Sequence, residues 1–335
     1  MIEEKSNINS KSFWQKINIF KVNSISPSLI IVLVVMFAIF GGINGDFFSL
    51  QNFKGMIAGL SVYGFMSVGL SFVVLTGNFD VSIGSILGIS AVVMGKLFNV
   101  NGGNIPIPVI ILVGLAVGAA VGALNGFLVT TVGINSVITT LGTLAIFRGL
   151  SFLYAADPSL INNKTYIALG RGFVARAIPY TFIYLVVVFA IAYLVLRFTK
   201  FGRDTYQAGS NPNAARLAGL SVKKVQFMAF VISGITAAMS AVIMTSQAAF
   251  AQGEFGNGFE FTILTVVVLG GISLAGGRGT LIGVAIALII INSISNGLTM
   301  ISVPINWREA FNGIILIAAI LIDSIRVRRR ELLKA

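Results

Sequence analysis

The sequence predicts an all-α, polytopic membrane protein with about ten transmembrane helices, built as two repeats of the same orientation. Three observations predict it. Hydrophobic residues make up 56% of the 335-residue chain and charged residues only 10%, against roughly 25% charged in soluble domains. The apolar residues fall into ten runs close to the roughly 20 residues that a bilayer-spanning helix needs. All seven prolines stand at or between the ends of those runs, where a missing N–H breaks no helical ladder.

The runs cover residues 27–44, 53–76, 81–98, 106–131, 135–155, 179–198, 226–249, 258–275, 280–300 and 307–325. The first 26 residues are polar and mixed in charge. They lack the compact apolar stretch and small-residue cleavage site of a signal peptide, so the first span is expected to act as the insertion signal and stay in place. Three regions result: 1–26 as an N-terminal segment, 27–325 as the transmembrane domain, and 326–335 as a basic tail.

Ten spans place both termini on one side of the membrane. With the termini inside, 16 of the 23 Lys and Arg residues become cytoplasmic, among them Arg197, Lys200, Arg203, Arg216, Lys223, Lys224 and the run RVRRR at 326–330. Cationic residues concentrate on the cytoplasmic side of membrane proteins, so this orientation is expected. The RVRRR run serves as a topology anchor in this reading, with lipid-headgroup recognition as the rival. The net charge of +12 also admits a nucleic-acid partner, but the apolar content and the scatter of the cations favour the membrane. No nucleic acid is expected.

The chain has neither histidine nor cysteine. Disulfides, thiolate catalysis, imidazole acid–base chemistry and most zinc sites are excluded together. No catalytic and no metal residue is assigned.

Small residues recur every fourth position in several spans. Gly114, Gly118, Gly122 and Gly126 form one series, with Gly55 and Gly59, and Gly84 and Gly88, as shorter ones. Such spacing lets helix backbones approach closely in lipid, which is packing rather than chemistry. Internal repetition shows in GNFDVSIG (77–84), which aligns with GGISLAGG (270–277). Both lie at junctions between spans, as expected of a duplicated bundle or of two unrelated Gly-rich helix breaks.

Two segments draw functional attention. The stretch 199–227 is the longest polar one between spans, and a coupling segment is bounded at 199–225. Within it Asn211 suits an N-cap, Pro212 the first helical turn, and Gly219 a left-handed stop. NAARLA between them contains strong helix formers, including Ala214, Ala215 and Arg216. A short capped helix ringed by cations, Arg203 among them, is either a docking surface for a soluble partner or a lipid-surface helix.

The second segment is Gly77–Gly84. Asp80 lies between two spans, where an ionisable group marks a pathway or a satisfied structural role. Asp80 or Ser82 is able to cap the third span; substrate contact and proton relay are the other readings. Asn78, Asp80, Ser82, Glu260, Asn292 and Asn296 are the candidates for lining a translocation path. For the last three, helix–helix hydrogen bonding is the alternative. Arg148, near the middle of the fifth span, requires a partner. Trp307 reads as an interface aromatic.

The chain is similar to a known family. GNFDVSIGSILG resembles the G-x-I-D-L-S-V-G-S motif of the ribose-type sugar permeases of bacterial ATP-binding-cassette importers. TTLGTLAIFRGL (139–150) resembles their T-L-G-T-x-x-x-x-R-G segment, and KFGRDTYQAGSNPNAARLAGLSV (200–222) their coupling segment. VVVLGGISLAGGRGTLIG (266–283) and NWREAFNGIILIAAILID (306–323) resemble two further stretches. The matches run in order over nearly the whole chain. Two departures stand out. Phe79 replaces the usual Ile before Asp80, and Glu260-Phe261-Thr262 lacks the second acid of the family's Glu-Leu-Asp.

The resemblance implies a ten-helix permease of the second importer type in a bacterial plasma (inner) membrane, importing a monosaccharide such as a ribose-like pentose or hexose, or autoinducer-2. It implies a second permease subunit, identical or a sister chain, two ATPase subunits and an extracytoplasmic sugar-binding protein. The binding protein is expected on the outer loops 157–178 and 251–257. ATP-Mg would belong to the partner ATPases, because this chain has no G-x-x-x-x-G-K-[ST] loop. No cofactor is expected in this chain, and it is not expected to be an enzyme. Asn211 to Gly219 would be the ATPase-coupling helix. The competing readings are a proton-coupled secondary transporter using Asp80, and a permease for branched-chain amino acids.

Overall fold

The computed structural model describes residues 27–100, 104–155 and 157–304, and, of the last apolar run, residues 307, 310, 311, 313–321 and 324. The N-terminal segment and the basic tail expected from sequence lie outside the described residues, and the tenth span lies only partly within them. Trp307, at its start, is 63% exposed.

The described chain is mostly helical. In order, α1 (Pro27–Ile43), α2 (Leu50–Leu75), α3 (Ile83–Asn99), α4 (Ile107–Phe127) and α5 (Ser136–Tyr154) come first. Then follow α6 (Lys164–Arg171), α7 (Tyr180–Phe198), α8 (Lys200–Ser210), α9 (Pro212–Leu217), α10 (Val222–Ala248), α11 (Phe259–Leu269) and α12 (Leu281–Met300). Four two-residue strands make two small antiparallel pairings, Ser159–Leu160 with Phe250–Ala251 and Phe173–Val174 with Ile178–Pro179. All four belong to the segments between α5 and α7 or just after α10.

Helix starts follow local chemistry. The side chains of Ser49, Asn135, Thr199 and Thr280 each accept from a backbone N–H in the first turn of the helix they precede, satisfying donors that have no intrahelical partner. Stops are just as local. α2 ends with Gly77 at φ +80°, α11 with Gly271 at φ +87°, and α9 with Gly219 at φ +81°. In each case the glycine N–H and the next N–H reach back to carbonyls of the last turn: Gly77 to Val74 and Asn78 to Val73, Gly271 to Val268 and Ile272 to Val267, Gly219 to Arg216 and Leu220 to Ala215. This is one stop motif used three times.

Six described helical segments are long and apolar enough to cross a membrane: α2, α4 with the π turn Leu128–Val132, α5, α7, α10 and α12. Three further apolar helices, α1, α3 and α11, are shorter. The eighth run was expected to be helical to residue 275, but α11 is 11 residues long and stops at Leu269, about 17 Å at helical rise. The reason is Gly270-Gly271: apolar composition continues past them, but the left-handed Gly271 turns the chain. α3 likewise begins after a buried break rather than a surface loop. Asp80, Ser82 and Ile83 are all nearly or wholly buried.

α10 occupies the centre and packs on α2, α3 and α4. Its inward face is made of small residues, Ala229, Ser233, Gly234, Ala237, Ala238 and Ala241, all buried. The glycine series on α4 meets it. A Cβ on Gly118 would collide with the Gly234 carbonyl, one on Gly122 with the Phe230 carbonyl, and one on Gly126 would lie 2.9 Å from the Phe227 ring. Gly114 faces Met94 of α3 instead. The four-residue spacing is therefore a backbone-contact seam, as expected. The shorter pair on α2 is not: a Cβ on Gly55 meets nothing within 4 Å, and one on Gly59 only Asn292 at 3.5 Å.

Candidate functional site

The break between α2 and α3 is non-helical backbone buried in an apolar bundle, so each N–H there needs a partner. α5 supplies two. Ser136 and Thr140, four residues apart on one face, accept from Phe79 N at 3.2 Å and Val81 N at 3.1 Å through their hydroxyl oxygens. Asp80 supplies the third, accepting Ser82 N at 3.1 Å.

Asp80 is 2% exposed and both of its carboxylate oxygens accept hydrogen bonds. Oδ1 also accepts from Ser82 Oγ at 2.6 Å, and Oδ2 accepts from Ser233 Oγ of α10 at 2.7 Å. Asn125 of α4 donates to Ser82 Oγ at 2.8 Å and accepts from Thr143 of α5 at 2.8 Å. One connected network thus ties the start of α3 to α4, α5 and α10. The expectation that Ser82 caps α3 with its side chain is corrected here. Ser82 occupies the N-cap position but makes no side-chain cap bond, because its hydroxyl is committed to Asp80. Asp80 satisfies the backbone N–H of the cap residue itself. Asn78 is buried and donates to Thr76 Oγ1 at 3.1 Å.

The other path candidates lie elsewhere. Asn292 donates to the Met56 carbonyl at 3.0 Å, and Asn296 to Asn52 Oδ1 at 2.9 Å. Both bonds join α12 to α2, the helix–helix alternative named above. Glu260, in the first turn of α11, is 8% exposed. Its Oε2 has no hydrogen-bond partner among the described residues and packs on Gly84, where a side chain would displace it. Arg148 finds its partners in backbone. Nη1 donates to the carbonyls of Phe255 at 2.8 Å and Gly253 at 3.2 Å, and the Glu260 charge lies close enough to act on it. Gly84 and Gly88 leave the room in which this guanidinium sits, 3.5 Å and 3.1 Å from where their Cβ atoms would be. Asn78, Asp80 and Ser82 therefore share one place, Glu260 packs against Gly84 in the next turn of the chain, and the two asparagines of α12 stand apart.

The coupling segment contains two helices where one was expected. α8 precedes α9, and sequence reading missed it; its signal is Thr199, whose Oγ1 accepts Gly202 N at 3.1 Å. α9 itself follows the predicted grammar. Asn211 Oδ1 accepts Ala214 N at 3.0 Å, Pro212 takes the first turn, and Gly219 ends it. Ala215 faces inward with Ala208, Val222 and Val225, so it anchors α9 and offers nothing to a partner. Arg203, Asn211, Ala214, Arg216 and Gly219 are exposed. Leu217, unremarked in the sequence, is 91% exposed at the tip.

Residues 52–320 match the family model described as branched-chain amino acid transport system / permease component. The chain belongs to this family of transport-system permeases, and it is a multi-pass membrane protein. Among curated relatives, the autoinducer 2 import system permease protein LsrC of Photorhabdus luminescens is 32% identical over 302 residues, covering 90% of each chain. The LsrC protein of Yersinia pseudotuberculosis (strain IP 31758) is 32% identical over 305 residues, covering 91% of this chain and 86% of its own. The ribose import permease protein RbsC of Haemophilus influenzae is 30% identical over 299 residues, covering 88% and 91%. No solved structure matches the chain.

Proposed function

We propose that this chain is the membrane-spanning permease of an ATP-binding-cassette importer for a monosaccharide or the autoinducer-2 signal. The observation that carries the reading is α9, a capped helix of six residues presenting Arg216 and a fully exposed Leu217. An apolar tip beside a cation, held out from a lipid-facing bundle on an anchoring alanine, is built to be covered by a soluble protein. The ATPase subunit is that protein in this reading. The names of the relatives support the substrate class and set it ahead of branched-chain amino acids, although the family's own name mentions the latter.

The finer parts of the reading go with it. The chain crosses a bacterial plasma membrane ten times, with both termini cytoplasmic and two repeats of one orientation. The repeats find support in the stop motif that ends both α2 and α11, although the two stops align through Gly77 and Gly271, one residue from the sequence alignment. It pairs with a second permease, identical or a sister chain. ATP-Mg is bound and hydrolysed on the partner ATPases, and a sugar-binding protein delivers substrate to the outer loops. Arg203, Asn211, Pro212, Ala214, Arg216 and Gly219 form or shape the docking segment. Asp80 and its serines hold the helix break from which a path starts, rather than gripping sugar themselves, since both carboxylate oxygens already accept from protein.

The test is assembly with the cognate ATPase and binding protein in lipid discs, with ATPase activity followed across a panel of monosaccharides and autoinducer-2. Stimulation by one loaded binding protein supports the importer reading and names the substrate. Failure of the chain to assemble with any ATPase sinks it.

A further inference from the structure

Three segments distant in sequence meet backbone to backbone where α8 ends. The first is the end of α2, Leu75 to Gly77. The second is Gly209 and Ser210, the last residues of α8, directly before the α9 cap. The third is the turn 270–280 between α11 and α12. Gly277 N donates to the Leu75 carbonyl at 2.8 Å. A Cβ on Gly209 would collide with that same carbonyl and lie 2.6 Å from Gly277 N. A Cβ on Gly276 would lie 2.8 Å from Gly77 N and Cα and 3.1 Å from Gly209 Cα. No side chain fits between these strands of backbone, so there is no slack between them. Away from the glycines, Tyr206 of α8 donates its hydroxyl to the Gly279 carbonyl at 3.1 Å.

Both helix breaks therefore touch the same few residues of the coupling segment. The turn 270–280 is gripped at two points, by Gly209–Ser210 at Gly276–Gly277 and by Tyr206 at Gly279. Within the turn, Ser273 N donates to the Arg278 carbonyl and Gly276 N to the Ser273 carbonyl, each at 3.0 Å. Gly276, Gly277 and Gly279 all have positive φ, at +80°, +69° and +131°, a backbone path that glycine follows without steric cost and that lets the turn lie this close to its neighbours.

We propose that Tyr206 and Gly209 are positioning residues that transmit motion of the coupling segment to both helix breaks at once, through this contact rather than through α10 alone. The inference rests on the importer reading. A push on α9 reaches Ser210 through Asn211 without an intervening loop. Ser210 and Gly209 abut the 270–280 turn and the end of α2, and the Asp80 network begins three residues beyond Gly77. The start of α3 and the end of the short helix α11 then move as a consequence of one displacement.

The absence of cysteine in the natural chain gives a direct test. A single cysteine replaces exposed Ala275, in the middle of the turn, and its rate of maleimide labelling is measured in the complex assembled with the ATPase, without nucleotide and with ATP trapped. The labelling rate is expected to change about threefold or more between the two states, and Tyr206→Phe or Gly209→Ala is expected to abolish most of that change while assembly and ATP hydrolysis persist. Tyr206→Phe removes one hydroxyl and decides the matter if Gly209→Ala fails to assemble. An unchanged nucleotide response in Tyr206→Phe, or no response in the parent Ala275→Cys protein, overturns the inference. A parallel fall of assembly and ATP hydrolysis in Tyr206→Phe also overturns it, since that marks a merely structural residue. If the parent chain assembles with no ATPase, the importer reading fails instead.

Discussion

At the scale of single residues, Asp80 shows what a buried charge requires. Its two oxygens accept from three donors, and each donor is itself fixed by the fold. Asparagine is nearly isosteric but keeps one acceptor oxygen and turns an NH2 toward a donor. Asp80→Asn is expected to lower stability by about 1–3 kcal/mol, read as an earlier unfolding transition in lipid discs. Ser233→Ala in the same chain is expected to recover part of that loss, because it removes a donor the amide opposes. Tyr166 makes a second case, outside the spans. Its hydroxyl bonds Thr245 Oγ1 at 2.7 Å and the Val242 carbonyl at 3.2 Å, and burial pushes its pKa up to about 12 from 10.0. The folded state holds the proton that the unfolded state releases, so the stabilisation is complete below pH 10 and is lost as pH rises toward 12. Stability curves of the wild-type chain and Tyr166→Phe are expected to diverge only in that window, with the wild type falling by up to about 2 kcal/mol more. Of these two sites, the sequence announced only Asp80, through its company of Gly, Asn and Ser. Tyr166 carried no signal, because its partners are 76 and 79 residues away. Arg148 announced a need but not its answer, since backbone carbonyls 105 and 107 residues away leave no mark on side-chain identity.

At the scale of elements, legibility followed how local the cause is. Asn211, Pro212 and Gly219 act within one turn of their own helix, and α9 lies between them. The glycine series on α4 was read correctly as a seam, but its partner surface on α10, and the idle Gly55, depend on which helices meet. α11 was read too long because apolar composition does not distinguish helix from a buried turn. α8 was read as loop because Gly202 and Gly209 lower its helix propensity, whereas in the fold they admit neighbouring backbone. The same locality makes α9 testable. Leu217 packs on nothing, so Leu217→Asp is expected to leave the unfolding transition within about 0.5 kcal/mol of wild type. If the tip is a buried anchor in the ATPase complex, affinity for the ATPase is expected to fall by about tenfold or more. Equal affinity for both proteins, measured by titrating the ATPase onto discs, would remove Leu217 from the interface and weaken α9 as the docking element.

At the scale of the whole molecule, one prediction governs the rest. The orientation of the bundle rests on charge: with ten spans, 16 of the 23 cations share the side of the two termini, and the cation-rich side of a membrane protein is the cytoplasmic one. The same assignment puts α9 with the ATPase and the segment between α5 and α7 with the outside. The two ends of the molecule are chemically distinct in a way that supports it. The α8–α9 end carries Arg203, Arg216, Lys223 and Lys224 beside the single acid Asp204, whereas at the opposite end Lys54, Lys164, Arg171 and Arg176 are offset by Asp46, Asp157 and Glu254, and short strand pairings and Tyr166 against α10 close that end. Exposed Asn213 and Ala175 mark those ends and, in a chain without cysteine, each is replaced singly by cysteine. In right-side-out vesicles a membrane-impermeant maleimide is expected to label the Ala175→Cys protein and to spare Asn213→Cys until the membrane is permeabilised. Labelling of Asn213→Cys from outside would invert the molecule. α9 would then face a compartment without ATP, and the docking of Leu217, the coupling contact at Gly209 and the delivery of sugar to the loops beyond α5 would fall together.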